Sequence, residues 1–505
     1  MNRRRFVTGA AALPFVLGIS EAIAAAQRAQ EAVGFDRDSV RQQARGLASA
    51  PFKRQVSKLP SALKDIDYDS YRAIRFRPDR ALWRGEGLPF EVQFFHRGFI
   101  FTDAIDVYEV SDGQARPVVY SPDLFDFGKT PPPAPDAKFG FAGFRLHAPI
   151  NRADYYDEVA VFLGASYFRA VAKGQTYGIS ARGLSLKTGD FKGEEFPAFR
   201  AFWIEKPQKN TDSIVVHALL DSESASAAHR FTIRPGETTV FAVEMTLFPR
   251  VDIDQAGIGS LTSMFLFDAN DRVGIDDYRP AVHDSDGLAI RNGRNEDLWR
   301  PLSNPTDLQI SVFSDVNPRG FGLMQRQRKF HHYDDLESRF ETRPSVWVEP
   351  IGNSGEGAVQ LIEIPTKEEI HDNIVAFWRP KEPMRAKGEG NFTYRLHWGA
   401  GKVASSALAE VTQTRVGAGP DNTRLFVLEF EGPGLKDKKA ETMRGSVTTS
   451  GGEVRHIVAQ PNPVTGGWRL SFQFDAKASA AVELRAQLLN GDEPLSEVWL
   501  YRWTP

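Results

Sequence analysis

The chain has no cysteine, which excludes disulfide staples, thiol nucleophiles and cysteine-ligated metal centres. It has no charge imbalance either. A formal net charge of -3, with no long basic run, gives no pull toward nucleic acid or an anionic surface. The Rossmann glycine fingerprint, the P-loop and sustained heptads are all missing. So is the Gly-x-Ser-x-Gly elbow. The nearest stretch, Gly164-Ala165-Ser166-Tyr167-Phe168, lacks the second glycine and reads as a strand end. Asp284-Ser285-Asp286-Gly287 and Asp268-Ala269-Asn270-Asp271 look like calcium loops but lack the closing Glu, so they read as turns. His331 and His332 are adjacent and on a strand would point to opposite faces. Neither a metal nor a cofactor is expected.

What remains is a large β-rich chain. Its 505 residues suit two or three domains. Aromatics at 11%, led by 36 Phe, fit broad sheets better than a helical bundle. Arg3-Arg4-Arg5-Phe6-Val7 opens a twin-arginine signal. The apolar stretch Val7–Ile19 that follows is shorter than the roughly 18–20 residues of a bilayer span. With A-x-A sites at Ala22–Ala24 and Ala24–Ala26, residues 1–26 read as a cleaved export peptide. Residues 36–50 read as a short helix with Ser39 at its cap.

Beyond residue 70 the pattern alternates. Phe241, Val243, Met245 and Leu247 recur at period two. Pro131–Pro135 reads as an extended surface connection. The charged stretch Glu382–Gly390 suits a linker, giving a large domain over 27–387 and a smaller one over 388–505. In the latter, Trp468, Leu470, Phe472 and Phe474 alternate, as do Val482, Leu484, Ala486 and Leu488. Asn490-Gly491 marks a turn. The expected fold is all-β, a large N-terminal β-sandwich followed by an immunoglobulin-like sandwich.

Two stretches carry candidate chemistry. His283–Arg300 packs Asp284, Asp286, Glu296 and Asp297 beside His283, Trp299, Arg291, Arg294 and Arg300. Glu368–Trp378 carries Asp372 just before an apolar run. If they meet, Asp284 and Asp372 flank a glycosidic bond, because glycoside hydrolysis needs a protonated acid and an ionised partner. Turn chemistry explains Asp-x-Asp-Gly equally well. Trp299, Trp347, Trp378 and Trp398 fall in one span and suit either sugar stacking or a sandwich core.

At these stretches the chain resembles a known family. The match runs through Arg279–Leu288, Leu298–Leu302, Phe313–Asp315 with Asn317–Arg326, Phe141–Arg145, Phe162–Arg169 and His371–Trp378. It is similar to the periplasmic glucan biosynthesis proteins G and D over nearly the whole mature chain, and the twin-arginine signal points to the D member. The resemblance implies a large β-sandwich, an immunoglobulin-like C-terminal domain and periplasmic residence. It implies a β-1,2-linked glucan as partner, with a membrane glucan synthase nearby. It further implies an endo-acting, anomer-inverting β-1,2-glucanase with Asp372 as general acid and Asp284 as general base. The acid would act through a substrate hydroxyl and the base through further waters, so the carboxylates need not keep the roughly 6.5–9.5 Å of ordinary inverting enzymes.

Around this pair, Arg300 and Arg319 are expected to orient carboxylates or bind hydroxyls. Trp299, Tyr333 and Trp347 are expected to wall subsites, and Asp286 to hold His283 or Arg300 from behind. Arg326–Arg343 is expected to overhang the cleft. A non-catalytic glucan-binding or assembly protein is the alternative. A lyase fits less well, since a neutral glucan offers no uronic acid.

Overall fold

The computed structural model describes residues 32–505 except 55–58, 135, 137–138, 403–405, 437 and 478. The expected export peptide lies outside these residues.

Alternation along Thr239–Pro249 does what its period demands. Phe241, Val243, Met245 and Leu247 turn into a dry interior while their neighbours stay half-exposed. This strand sits mid-way in the larger sheet. Along that sheet, Asp106–Ser111, Ala198–Glu205, Ile214–Asp221 and Ala225–Arg234 lie to one side of it. Gly390–Gly399, Ser345–Pro350, Gly320–Met324, Gly287–Arg291 and Asp297–Pro301 lie to the other. A second sheet runs from Gln309–Val316 through Glu356–Glu363, Ile374–Pro380, Ala256–Ser263, Ser180–Arg182, Tyr167–Ala170, Tyr155–Leu163 and Gly143–Arg152 to Glu91–Phe95. The two share one hydrophobic core. Phe162 meets Phe231 at 5.4 Å, Phe168 meets Phe241 at 5.7 Å, and Phe241 meets Trp398 at 4.8 Å. The protein is all-β, as expected.

The helix expected near residue 40 forms over Ser39–Ala48, and Val40 and Ala44 are its buried residues. Ser39 is not its cap. Its hydroxyl donates back to Asp36 Oδ1 at 2.8 Å and accepts from the Asp36 N–H.

The boundary expected at 387/388 is too early. Gly390–Gly399 is an inner strand of the large sheet, paired with Thr239–Leu247 on one side and Ser345–Pro350 on the other. Glu382–Gly390 reads as a linker because it is charged, but those charges are tied down. Arg385 holds Asp252 at 2.8 Å, and Glu389 holds Arg45 at 2.6 Å. The second sandwich begins near Ala409, which bridges Ser496. Its four-stranded sheet combines Glu410–Ala418, Arg424–Glu431, Gly467–Asp475 and Glu453–Asn462. This sheet shares one core with Met443–Thr449, Val482–Asn490 and Val498–Trp503. Those three strands extend the large sheet of the first unit, because Asp297–Pro301 pairs in parallel with Val498–Trp503 (Leu298 with Val498, Trp299 with Trp499). One sheet therefore crosses both units.

Candidate functional site

A dipeptide, Met264-Phe265, brings the two predicted aspartates together. The chain leaves the short strand Val282–His283, and Asp284 N–H donates to Met264 O at 2.8 Å. On the other side, the Asn373 amide closes around Phe265. It accepts from Phe265 N–H at 2.8 Å, donates to Phe265 O at 2.9 Å, and donates to Ile364 O at 3.0 Å. Asp372 immediately precedes this clamp and the strand Ile374–Pro380. Asp284 is thus pinned through its own backbone N–H and Asp372 through the residue that follows it, which is the rigidity a reactive group needs.

Electrostatics couples them. Burial pushes the Asp284 carboxyl up, the Arg343 guanidinium opposes this, and the negative charge of Asp372 adds to the rise. Arg343 is itself oriented. Nη1 donates to Asp284 Oδ1, while Nε and Nη2 donate to Ser338 O at 3.2 and 3.1 Å. Its guanidinium lies 4.3 Å from the Phe340 ring centre. Its stem fits against Gly178, where an added Cβ would meet Arg343 Cβ at 3.0 Å. Asp372 is more open and has Arg169 Nη2 at 3.9 Å.

Asp372 and Arg169 line a groove of about 610 Å³ together with Tyr167, Tyr177, Glu158 and Phe101. Asp284 is not in its wall. It is paired with Arg343, which is not in the wall either and whose side chain is 19% exposed. Arrangements of this kind, with carboxylates, guanidinium groups and phenols converging on an open groove, can hydrogen-bond sugar hydroxyls and move protons.

The segment Arg326–Arg343 runs beside the pair as two single 3-10 turns, Phe330–His332 and Phe340–Thr342. It is anchored rather than loose. Arg279 binds Asp335 at 2.9 Å, Asp277 at 2.9 Å and Glu369 at 2.8 Å. This guanidinium therefore joins the segment to the loop that carries Asp372.

The rest of the predicted set lies elsewhere. Trp299 is 3% exposed and does not face the groove. Its ring lies over Gly287, where a Cβ would meet it at 2.2 Å, and under the Arg326 guanidinium at 3.5 Å. Gly287 is thus a strand residue making room for an indole, which corrects its reading as a turn glycine. Trp347 likewise occupies the space left by Gly320 and Gly322. Both tryptophans belong to the core shared with the C-terminal sandwich. Arg300 is buried against Glu363 at 3.3 Å and faces Tyr501. Tyr333 is fully buried, donating to Gln327 O at 3.1 Å. Arg319 is exposed at the far end of the hairpin, beyond the Arg291–Gly320 pair. Four of these side chains are buried, Arg319 is exposed, and none of the five lines the groove that holds Asp372.

His283 and Asp286 enter a buried cluster with Asp268. Burial drives His283 down to about 3, and its Nε2 stands 3.8 Å from Asp268. Asp286 accepts from Arg326 N–H at 3.2 Å rather than holding His283 or Arg300. Burial raises Asp286 to about 7 and Asp268 to about 6. Among the described residues no cluster of three or more His, Cys, Asp or Glu is placed to hold a metal ion.

Sequence reasoning missed Arg343, Asn373, Tyr177 and Glu158 as site residues. Arg343 closes the segment expected to overhang, and Asn373 follows Asp372 directly, so position alone was the available signal. Arg169 sits at the end of a resembling motif without a role assigned to it.

Fold and groove together define a two-unit β-sandwich protein with a largely apolar groove that carries Asp372, Glu158, Arg169 and the phenols Tyr167 and Tyr177. The profile of the periplasmic glucan biosynthesis protein MdoG family matches residues 35–503, and the chain belongs to that family. It is 59% identical to glucans biosynthesis protein G of Bradyrhizobium diazoefficiens and 61% identical to that of Rhodopseudomonas palustris strain BisA53, over the full length of both chains in each case. It is 50% identical to the Vibrio cholerae protein of the same name, over 93% of this chain and 87% of the relative. These relatives carry the G name, so placement with the D member is not supported. Family membership makes this a periplasmic glucan biosynthesis protein with glucan as its kind of partner.

Proposed function

We propose that the chain is an anomer-inverting endo-β-1,2-glucanase acting on the backbone of osmoregulated periplasmic glucan. In this reading it is exported by the twin-arginine route and works beside a membrane glucan synthase. The observation that supports the reading is the Met264-Phe265 clamp, which holds the segments of both aspartates at one dipeptide, with Asp372 in the groove and Asp284 near enough for its carboxyl to feel the Asp372 charge. Asp372, partly open in the groove, delivers a proton to the leaving oxygen by way of a substrate hydroxyl. Asp284 takes a proton from the attacking water through further waters, since it is buried in its ion pair with Arg343 and off the groove wall. The water oxygen bonds the anomeric carbon from the face opposite the leaving group, so configuration inverts.

The burial of Asp284 in an ion pair also favours a second reading, a non-catalytic protein that binds and shapes the glucan. Digestion of linear β-1,2-glucan by the mature protein separates the two. New reducing ends from the wild type, and a loss of about a thousandfold or more in Asp372→Asn and Asp284→Asn, support the glucanase. Cleavage unaffected by either change removes this site. Binding without cleavage establishes the second reading.

A further inference from the structure

A second hollow, of about 640 Å³, adjoins the groove and shares Phe95 and Leu163 with it. It is walled by the helix Tyr68–Ala73 and the segment that follows. Tyr68 is 58% exposed and packs edge-on against Phe99 at 6.2 Å. Tyr71 is fixed by donating its hydroxyl proton to His96 O at 3.0 Å. Such phenol faces suit the C–H face of a sugar.

Its charge is what separates this hollow from the groove. Arg72, Arg75 and Arg77 line it, all exposed, and none forms an ion pair among the described residues. Arg77 is steadied through Nε, which donates to Phe125 O at 3.3 Å. Arg145, at the seam with the groove, is occupied by Glu158 at 2.8 Å. Two carboxylates, Asp79 and Asp126, share the lining, so the three arginines outnumber them by one. Asp79 stands 3.8 Å from Arg80, and Asp126 accepts from Gly128 N–H at 3.0 Å. A neutral sugar does not call for three free guanidinium groups. Phosphate esters and carboxylates do, because the planar fork matches their oxygens two at a time.

We propose that this hollow is an anion-selecting subsite, taking a phosphate-ester or carboxylate substituent carried by the glucan in the adjoining groove. The inference rests on reading that groove as the glucan cleft. A lipid headgroup offers similar anionic chemistry, but the hollow shares Phe95 and Leu163 with the groove, which fits a substituted chain lying across both better than a membrane plane.

The test is calorimetric binding of linear β-1,2-glucan, neutral and partly succinylated, to the wild type and to Arg72→Gln/Arg75→Gln/Arg77→Gln, with the melting temperature as folding control. The wild type is expected to bind the succinylated chain about tenfold more tightly at low salt. That ratio should fall to about one in the variant and shrink at high salt. A ratio near one in the wild type, or one preserved in the variant, overturns the anionic subsite and leaves the groove reading standing. Failure of the wild type to bind neutral glucan overturns the groove reading and this inference together. A ratio near one with arginine-dependent pelleting on phosphatidylglycerol vesicles reassigns the hollow to lipid.

Discussion

Asp284 and Asp286 are separated by one serine, yet they belong to different regions. Asp284 meets the Arg343 guanidinium, and Asp372, in the groove wall, is close enough for its charge to be felt there. Asp286 accepts from the Arg326 backbone, while the Arg326 side chain crosses to Glu497 at 2.5 and 3.0 Å and to Val411 O at 2.7 Å. The first region is polar and half-open. The second is the seam between the sandwiches, where Trp299, Trp347 and Trp499 are packed dry. A run of charges and aromatics looks like one site in the sequence because chain proximity is all that a sequence displays. A backbone turning from one strand into the next sends neighbours to opposite sides, so the same composition meets the Arg343 guanidinium at one end and serves packing at the other.

Trp299→Ala tests the seam half of this contrast most severely. It empties the space over Gly287 and removes the surface under Arg326. A loss of about 3–5 kcal/mol in denaturant unfolding is expected, as for other buried tryptophans. Were Trp299 a subsite wall instead, KM would rise with stability unchanged.

The next effect is a pH dependence confined to the seam. Asp286 titrates at about 7 in the folded chain, above the ordinary carboxylate value of about 3.9. The folded state therefore holds an extra proton between those values. The stability this group contributes is complete below about pH 4 and lost as pH rises to about 7. Asp286→Asn keeps the acceptor for Arg326 N–H but removes the titration. The variant should gain on the wild type by about 2–4 kcal/mol between pH 4 and 8. A difference that stays flat with pH would show Asp286 to be solvated.

Much of the fold is legible in the residues themselves. Period-two alternation finds Thr239–Pro249, Gly467–Asp475 and Val482–Asn490, because each strand has one dry face. The parallel pairing of Trp299 with Trp499 leaves no local trace, since it joins strands some 200 positions apart. The charged approach to Gly390–Gly399 conceals an inner strand, because its charges are neutralised by partners far away in sequence. At the site, carboxylate chemistry marks Asp284 and Asp372 only through family resemblance. Asn373 and Arg343 escape notice because their work is done by side-chain bonds to groups 108 and 59 positions distant.

Arg343→Met sharpens the groove half. The stem still packs on Gly178, but the cation that lies over Phe340 and opposes burial at Asp284 is gone. The Asp284 carboxyl should then rise further. If it is the base, the acid limb of the kcat/KM profile moves upward by about one pH unit. Activity below that limb would fall about tenfold, while Trp299→Ala should leave the limb where it is. A limb unmoved in Arg343→Met would mean that Asp284 is not the group whose ionisation the rate reports.

Arg319→Ala supplies the smallest effect and the cleanest control. Its side chain is exposed, and its N–H donates to Arg291 O at 2.8 Å, a bond that alanine retains. The hairpin register places it a full strand length from Gly287 and the adjoining aspartates. Stability should shift by no more than about 0.5 kcal/mol, and glucan cleavage should be unchanged. A loss of cleavage without a loss of stability would require glucan to reach around the sheet to the far end of this hairpin. The groove beside Asp372 would then be only part of a longer binding path, and the division between groove and seam would have to be redrawn around Arg319.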